Sequence, residues 1–186
     1  MLALTKIAAT FAAIALPAAA MAAIGGANYA TQYDFDEIRA ATDGKPLRVE
    51  IHGNPFPGMA FDDSTRQMLP LIQAGQPQRL RAIYTYERPP ERPRPYYRLV
   101  LVFDAANNLN SSTVCAGEAR HKPPRAGHVD IFAVYCRNDQ VMSETTAWTD
   151  ASGPTDPRLG KLFFELLSTV FNNAPGLRPQ NGFDRR

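Results

Sequence analysis

The chain has 186 residues, of which 45% are hydrophobic and 20% charged, and its formal net charge is +2. This composition is typical of a globular protein and excludes a disordered, collagen-like or multi-span membrane chain. The small positive charge does not by itself indicate nucleic-acid binding, so no nucleic acid is expected as a partner. The length favours one domain.

The first residues have the three-part organisation of a secretory signal peptide. Lys6 precedes an apolar run from Ile7 to Ala23, and Ala20-Met21-Ala22 provides small residues for cleavage. We predict a cleaved signal peptide at residues 1–22 and a periplasmic or secreted protein of a bacterial envelope. The alternative is a retained anchor helix, since about 17 apolar residues is near the lower limit for crossing a bilayer. After cleavage, no integral membrane protein is expected.

Two further segments have no core-forming pattern. Residues 23–42 are rich in Gly and Ala with few large apolar side chains, which predicts a flexible N-terminal arm. Residues 174–186 combine Gly, Pro and Arg, which predicts a disordered tail. The globular domain is therefore expected over residues 43–173.

The two cysteines, Cys115 and Cys136, are predicted to form one disulfide, because an exported protein meets an oxidising compartment. The bond would close a loop of about 20 residues and stabilise the fold by about 3 kcal/mol in the chain-entropy model. No histidine lies at ligand spacing from either cysteine, so no metal site is expected.

Strands are predicted from alternating or continuous apolar runs. Their expected bounds are Leu47 to His52, residues 79–87, Tyr97 to Asp104, Val129 to Cys136 and Val141 to Thr149. The last two strands are predicted to form a hairpin with its turn at residues 137–140, and residues 105–128 are predicted to form a long loop.

Two helices are predicted. One starts near Asp62 and ends near Gly75, with a kink or an early end at Pro70. The other begins at Pro157, and its apolar side chains follow helical spacing along one stripe. That stripe consists of Leu159, Leu162, Phe163, Leu166, Leu167, Val170 and Phe171. The order β-α-β-β-β-β-α indicates a single α+β domain, a mainly antiparallel sheet of about five strands with helices packed on it.

Known catalytic and cofactor motifs are missing from the sequence. It contains no nucleophile elbow, no phosphate-binding glycine loop, no zinc-protease motif and no dinucleotide fingerprint. We therefore assign no catalytic residue, no metal and no cofactor, and an enzyme is the less favoured class. A small periplasmic hydrolase stays open as an alternative, with His128 and Asp130 as a base and its orienting group, assisted by His121.

The most distinctive stretch is the proline–arginine segment, residues 87–98, which carries four arginines against two glutamates. A second basic proline loop, residues 120–125, resembles it in composition. Prolines stiffen such segments, and arginines pair with carboxylates and phosphates. The candidate binding residues are Arg88, Arg92, Arg94, Tyr96, Arg120, Lys122 and Arg125.

These loops favour a non-enzymatic binding or assembly module. Its expected partner is an envelope protein or an anionic envelope component. A solvated hairpin loop would have the same composition, because prolines also limit unfolded-state entropy and edge pairing. A further alternative is a binder of a small apolar ligand between sheet and helix.

Overall fold

The computed structural model describes residues 22–174, which form one six-stranded sheet and four helices. The strands are β1 (Ala23–Tyr29), β2 (Pro46–His52), β3 (Ile83–Thr85), β4 (Tyr97–Phe103), β5 (His128–Arg137) and β6 (Gln140–Asp150). The helices are α1 (Phe35–Thr42), α2 (Phe61–Ala74), α3 (Ser111–Cys115) and α4 (Pro157–Val170). The predicted signal peptide and tail lie outside the described residues, apart from Ala22 and Ala174.

The strands are arranged in the order β1-β6-β5-β4-β2-β3. The pairs β1–β6, β5–β6 and β4–β5 are antiparallel, whereas β2 is parallel to both β3 and β4. The α+β class is confirmed, but the predicted mainly antiparallel sheet of about five strands is corrected to a mixed sheet of six. The parallel pair β2–β3 arises because α2 serves as a crossover between these strands, and parallel neighbours require such a connection. The additional strand is β1, at the edge beside β6.

The predicted flexible arm, residues 23–42, instead forms β1 and α1. Tyr29 is opposite Ser143 in the pairing of β1 with β6. Asp34 caps α1 by accepting a hydrogen bond from the Asp36 backbone N–H, and Phe35 and Ile38 are buried. Few large apolar residues are therefore enough to dock this segment, because the edge of β6 supplies its backbone partners.

Gly25 of β1 shows why composition misled the prediction. A Cβ atom built on Gly25 would lie 2.1 Å from Thr146 Oγ1 of β6. Glycine at this position therefore permits close approach of two strands rather than flexibility.

One face of the sheet carries the main core, which α4 covers. All seven residues of the predicted α4 stripe are buried. Asp156 caps the helix by accepting from the Arg158 backbone N–H, and Pro157 occupies the first turn as predicted. The helix α2 packs beside α4. It continues past Pro70, which is exposed to solvent.

The opposite face carries a smaller buried cluster around a disulfide. Cys115, at the end of α3, is bonded to Cys136 of β5, with Cα atoms 5.7 Å apart, which confirms the predicted pairing. The short helix α3 lies within the expected loop of residues 105–128 and packs with Val100 and Val134 on this face. None of the helices within residues 22–174 has the length and apolar character needed to cross a membrane.

Candidate functional site

The outer face of β2 forms the floor of an arginine-lined groove. Leu47 and Val49 face the core, so the alternation of the strand directs Arg48, Glu50 and His52 to the other face. Arg98 of β4 is opposite Arg48 in the parallel register. The sheet therefore places two arginines and one carboxylate side by side.

Glu50 lies between two guanidinium groups. Arg48 Nε donates to Glu50 Oε1 over 2.8 Å, and Arg98 Nε lies 3.4 Å from Glu50 Oε2. Asp139 is 4.0 Å from Arg98 Nη2, but its side chain is 78% exposed and interacts mainly with solvent. The buried part of the floor thus has two cations and one anion.

Arg98 is fixed in place by backbone acceptors. Its side chain is only 4% exposed and donates to the carbonyl oxygens of Asn138, over 2.5 Å, and of Cys115. The guanidinium carbon also lies 5.5 Å from the centre of the Tyr96 ring, within cation–π range. Arg98 therefore connects β4 to α3 and to the β5–β6 turn. Because these bonds use its N–H groups, its main contribution to the groove is positive charge and not free hydrogen-bond donors.

Arg48 retains a free donor. Its Nε atom is used by Glu50, whereas Nη1 is shielded from solvent and has no hydrogen-bond partner among the described residues. A buried donor without a partner costs free energy, so such atoms in native proteins usually meet a ligand or an ordered water.

The groove has a volume of about 640 Å³. Its walls are the first turns of α2, the proline–arginine segment and the residues after α3. The charged residues around it are Arg48, Arg66, Arg88, Arg92, Arg98, Glu50, Asp62 and Asp139, five cations against three anions. Positive charge converging on a concave surface attracts anions.

The proline–arginine segment overhangs this groove. Arg88 and Arg92 line it, whereas Arg94 and Tyr96 line a neighbouring cleft that also contains Arg92. The three arginines are exposed, and Arg92 lies over the Tyr96 ring at 5.5 Å. Four of the predicted binding residues are thus brought together.

The second basic loop is attached at the other end of β4 and does not line the groove. Lys122 Nζ pairs with Asp130 at 2.5 Å, and Arg120 donates to the carbonyl oxygen of Asn108 over 3.2 Å. Arg125 is exposed. The two loops, similar in composition, therefore present two separate surfaces.

The three histidines have different surroundings. His52 lines the groove, and burial lowers the pKa of its imidazole, with smaller effects from Glu50, which raises it, and from His121 and Arg48, which lower it. His128 Nδ1 lies 3.0 Å from Asp150, and the expected partner Asp130 is paired with Lys122 instead.

His121 Nδ1 lies 2.9 Å from the carbonyl oxygen of Phe103. These contacts add no support to a hydrolase based on His128 and Asp130. Residues 22–174 also contain no group of three or more potential metal ligands.

Sequence reasoning missed Arg48, Glu50 and Arg98 as site residues. The signal was present in part, since Arg48-Val49-Glu50-Ile51-His52 alternates polar and apolar residues along one strand. Arg98 is the second residue of β4, a strand with no other charged side chain. Only the parallel pairing of β2 with β4 brings these side chains together.

No protein-family model matches the sequence, and no curated protein matches it. Among solved structures, the PelC dodecamer from Paraburkholderia phytofirmans matches this chain with a TM-score of 0.41 and 14% identity over 81% of this chain and 97% of that chain. A leucine-to-methionine variant of that dodecamer gives a TM-score of 0.42 and 14% identity over 83% of this chain and all of the other. A likeness at this level carries no argument about function.

Proposed function

We propose that this protein is an exported, non-enzymatic binding or assembly module of a bacterial envelope. It engages its partner through the proline–arginine segment and the groove beneath that segment. The partner is an envelope protein or an anionic envelope component. The observation that carries the proposal is the convergence of four arginines, Arg48, Arg88, Arg92 and Arg98, on one groove. The floor of this groove holds a single, largely shielded carboxylate, that of Glu50.

Export is supported by two independent features. The order of Lys6, an apolar run and a small-residue cleavage site is that of a signal peptide. The disulfide between Cys115 and Cys136 suits a periplasmic or secreted location, because such bonds persist in oxidising compartments.

The geometry of the proline–arginine segment supports a binding surface over a merely solvated hairpin loop. Arg88, Arg92 and Arg94 are exposed, while Tyr96 at the end of the segment is buried and stacks under Arg92 and Arg98. The segment therefore has an anchored end and free guanidinium groups. Such an arrangement lowers the ordering cost of binding an anionic surface.

The test is recovery of the partner from the native envelope. The full chain, tagged at its C-terminus and expressed in its host, is cross-linked, purified and read by mass spectrometry. Arg88→Ser, Arg92→Ser and Arg94→Ser together should reduce recovery at least tenfold with little change in melting temperature, because these side chains are exposed.

The matched control replaces Arg120 and Arg125 with Ser in the second basic loop, where both side chains are exposed. This variant should recover the partner as wild type does. Equal recovery by the wild type and the variant of the proline–arginine segment would refute the proposal. Loss of recovery only in the control would move the binding surface to residues 120–125.

A further inference from the structure

The floor of the groove is built to receive one more negative group. From its charges and its apolar wall, we infer that the ligand is a monoanionic carboxylate carrying an apolar substituent. The inference rests on the proposed function, since it names the chemistry that the partner presents to the same groove.

The first argument is the charge of the floor. Arg48 and Arg98 share the single carboxylate of Glu50, and the side chains of all three are at most 16% exposed. Partly desolvated charges are costly unless each is paired. A ligand anion beside Arg48 would provide the second negative charge that the two arginines lack.

The rim limits how much negative charge the ligand brings. Arg66 is already paired with Asp63, at 3.1 Å, on the outside of α2. Asp62 and Asp139 also border the groove. With Arg66 paired in this way, four arginines face the carboxylates of Glu50, Asp62 and Asp139, so one negative charge balances the groove, whereas a dianion such as a phosphate monoester leaves it negative. The charge balance therefore favours a monoanion.

Arginine also suits this group geometrically. A guanidinium presents parallel N–H donors that match the two oxygens of a carboxylate. Arg88 and Arg92 are exposed on the overhanging segment and line the same groove as Arg48. They are placed to close over an anion that the floor already holds.

The second argument is the apolar wall. Phe61, at the start of α2, is 41% exposed, although it is a large aromatic residue, and it lines the groove together with Leu69 and Tyr86. A ligand that covers Phe61 removes apolar surface from water, which is favourable. A volume of about 640 Å³ is within the usual range for small-molecule sites.

The experiment uses the full chain and three probes, which are 4-phenylbutyrate, its primary amide and inorganic phosphate. Binding is measured by calorimetry, and the imidazole resonances of His52 report on the groove by NMR. We expect saturable binding of 4-phenylbutyrate, with the amide and phosphate each at least tenfold weaker. The pKa of His52 should rise when the carboxylate is bound. Amide binding as tight as the acid, or tighter phosphate binding, would overturn the inference.

Variants locate the site. Arg48→Gln should weaken 4-phenylbutyrate binding at least tenfold. Arg48→Gln also disturbs the ion pairs of Glu50, so a second variant is needed at exposed positions. Arg88→Ser with Arg92→Ser should weaken the affinity for 4-phenylbutyrate at least threefold. Arg120→Ser with Arg125→Ser should bind as wild type does. Unchanged affinity in both groove variants would place the carboxylate elsewhere and overturn the inference.

Two further probes identify the source of the carboxylate. A tripeptide ending in Phe with a free C-terminus is compared with the same peptide amidated. Tighter binding of the free peptide than of 4-phenylbutyrate assigns the group to a chain terminus, and the reverse order assigns it to a small organic acid. If none of the carboxylate probes binds but partner recovery is normal, this inference is overturned and the proposed function is not. If the carboxylate probes bind but partner recovery does not depend on the proline–arginine segment, the proposed function is overturned and this inference is not.

Discussion

Arg98 and Glu50 form an ion pair on neighbouring parallel strands, with Arg98 Nε 3.4 Å from Glu50 Oε2, and both side chains are largely shielded from solvent. Because Arg48 takes the other oxygen of Glu50, this single carboxylate holds two cations on the outer face of the sheet. The pair therefore connects the stability of the fold to the charge of the candidate groove.

Replacing Glu50 with Gln should be strongly destabilising. The variant leaves Arg48 and Arg98 side by side without their shared carboxylate, and removing one partner of a buried pair costs about 3 kcal/mol. Urea denaturation followed by circular dichroism measures the effect. Glu87→Gln, at an exposed position of the proline–arginine segment, is the control and should change the free energy of unfolding by less than about 0.5 kcal/mol. Equal stability of the two variants would contradict the prediction.

Gly75 provides a test of the contact between α2 and α4. A Cβ atom at this position would lie 2.9 Å from the Phe163 carbonyl carbon and from the Phe164 backbone nitrogen, and backbone cannot move aside cheaply. We expect Gly75→Ala to lower the free energy of unfolding by about 1–3 kcal/mol through overpacking.

The matched control is Gly58→Ala, since a Cβ atom there has no neighbour within 4 Å. It should leave the melting temperature unchanged or slightly raised. If Gly75→Ala melts at the temperature of Gly58→Ala, the two helices are not as close as described.

Gln73 completes the outer edge of β3. Its amide donates to the carbonyl oxygen of Ala82 over 3.1 Å and accepts from the Tyr84 backbone N–H over 2.8 Å. It thus takes the place of a neighbouring strand and blocks a free edge. Gln73→Ala should cost about 1–3 kcal/mol, because two backbone groups lose their partners.

Hydrogen exchange gives the sharper readout for this edge. The Tyr84 amide should exchange much faster in Gln73→Ala than in wild type. Gln67→Ala, on the exposed side of the same helix, should leave that amide protected. Unaltered protection in Gln73→Ala would show that another group covers β3.

Asp104 predicts a pH-dependent contribution to stability. Burial raises the pKa of this carboxyl above its ordinary value of 3.8, and Asp130 raises it further, while Lys122, His128 and His121 act in the opposite direction. The folded state therefore binds this proton more tightly than the unfolded state. The contribution is most favourable below pH about 4 and is lost as the pH rises through the elevated pKa.

Asp104→Asn should remove this dependence. Asn tolerates the left-handed backbone at this position, where φ is 49°. The variant should therefore gain stability relative to wild type as the pH rises from 4 to 7. Denaturation curves measured across this pH range test the prediction. A pH-independent difference in the free energy of unfolding between the two proteins would count against a raised pKa of Asp104.

Local sequence patterns correctly predicted those helices and strands whose buried face is defined by their own apolar residues. The α4 stripe from Leu159 to Phe171 was confirmed because helical spacing alone defines its apolar face. The paired strands β5 and β6 were also confirmed, since apolar runs flank a short polar turn. The strand predicted at residues 79–87 is reduced to β3, Ile83–Thr85.

Elements that depend on distant partners were missed. The arm became β1 and α1, because β6 supplies hydrogen bonds to β1 and because Glu37 of α1 accepts from Tyr97 and Arg137 on the sheet. These contacts join residues 60 and 100 positions apart. No pattern within residues 23–42 reveals them.

The sequence by itself determined the α+β class, the main core helix, the disulfide partners and the basic character of residues 87–98. Each follows from local spacing, composition or the count of cysteines. The tertiary structure alone decided that β2 runs parallel to β4, and hence that Arg48, Glu50 and Arg98 share one floor beneath Arg88 and Arg92. Strand order and register are set by burial and backbone pairing across the whole chain, so a site assembled from neighbouring strands appears only when the sheet is complete.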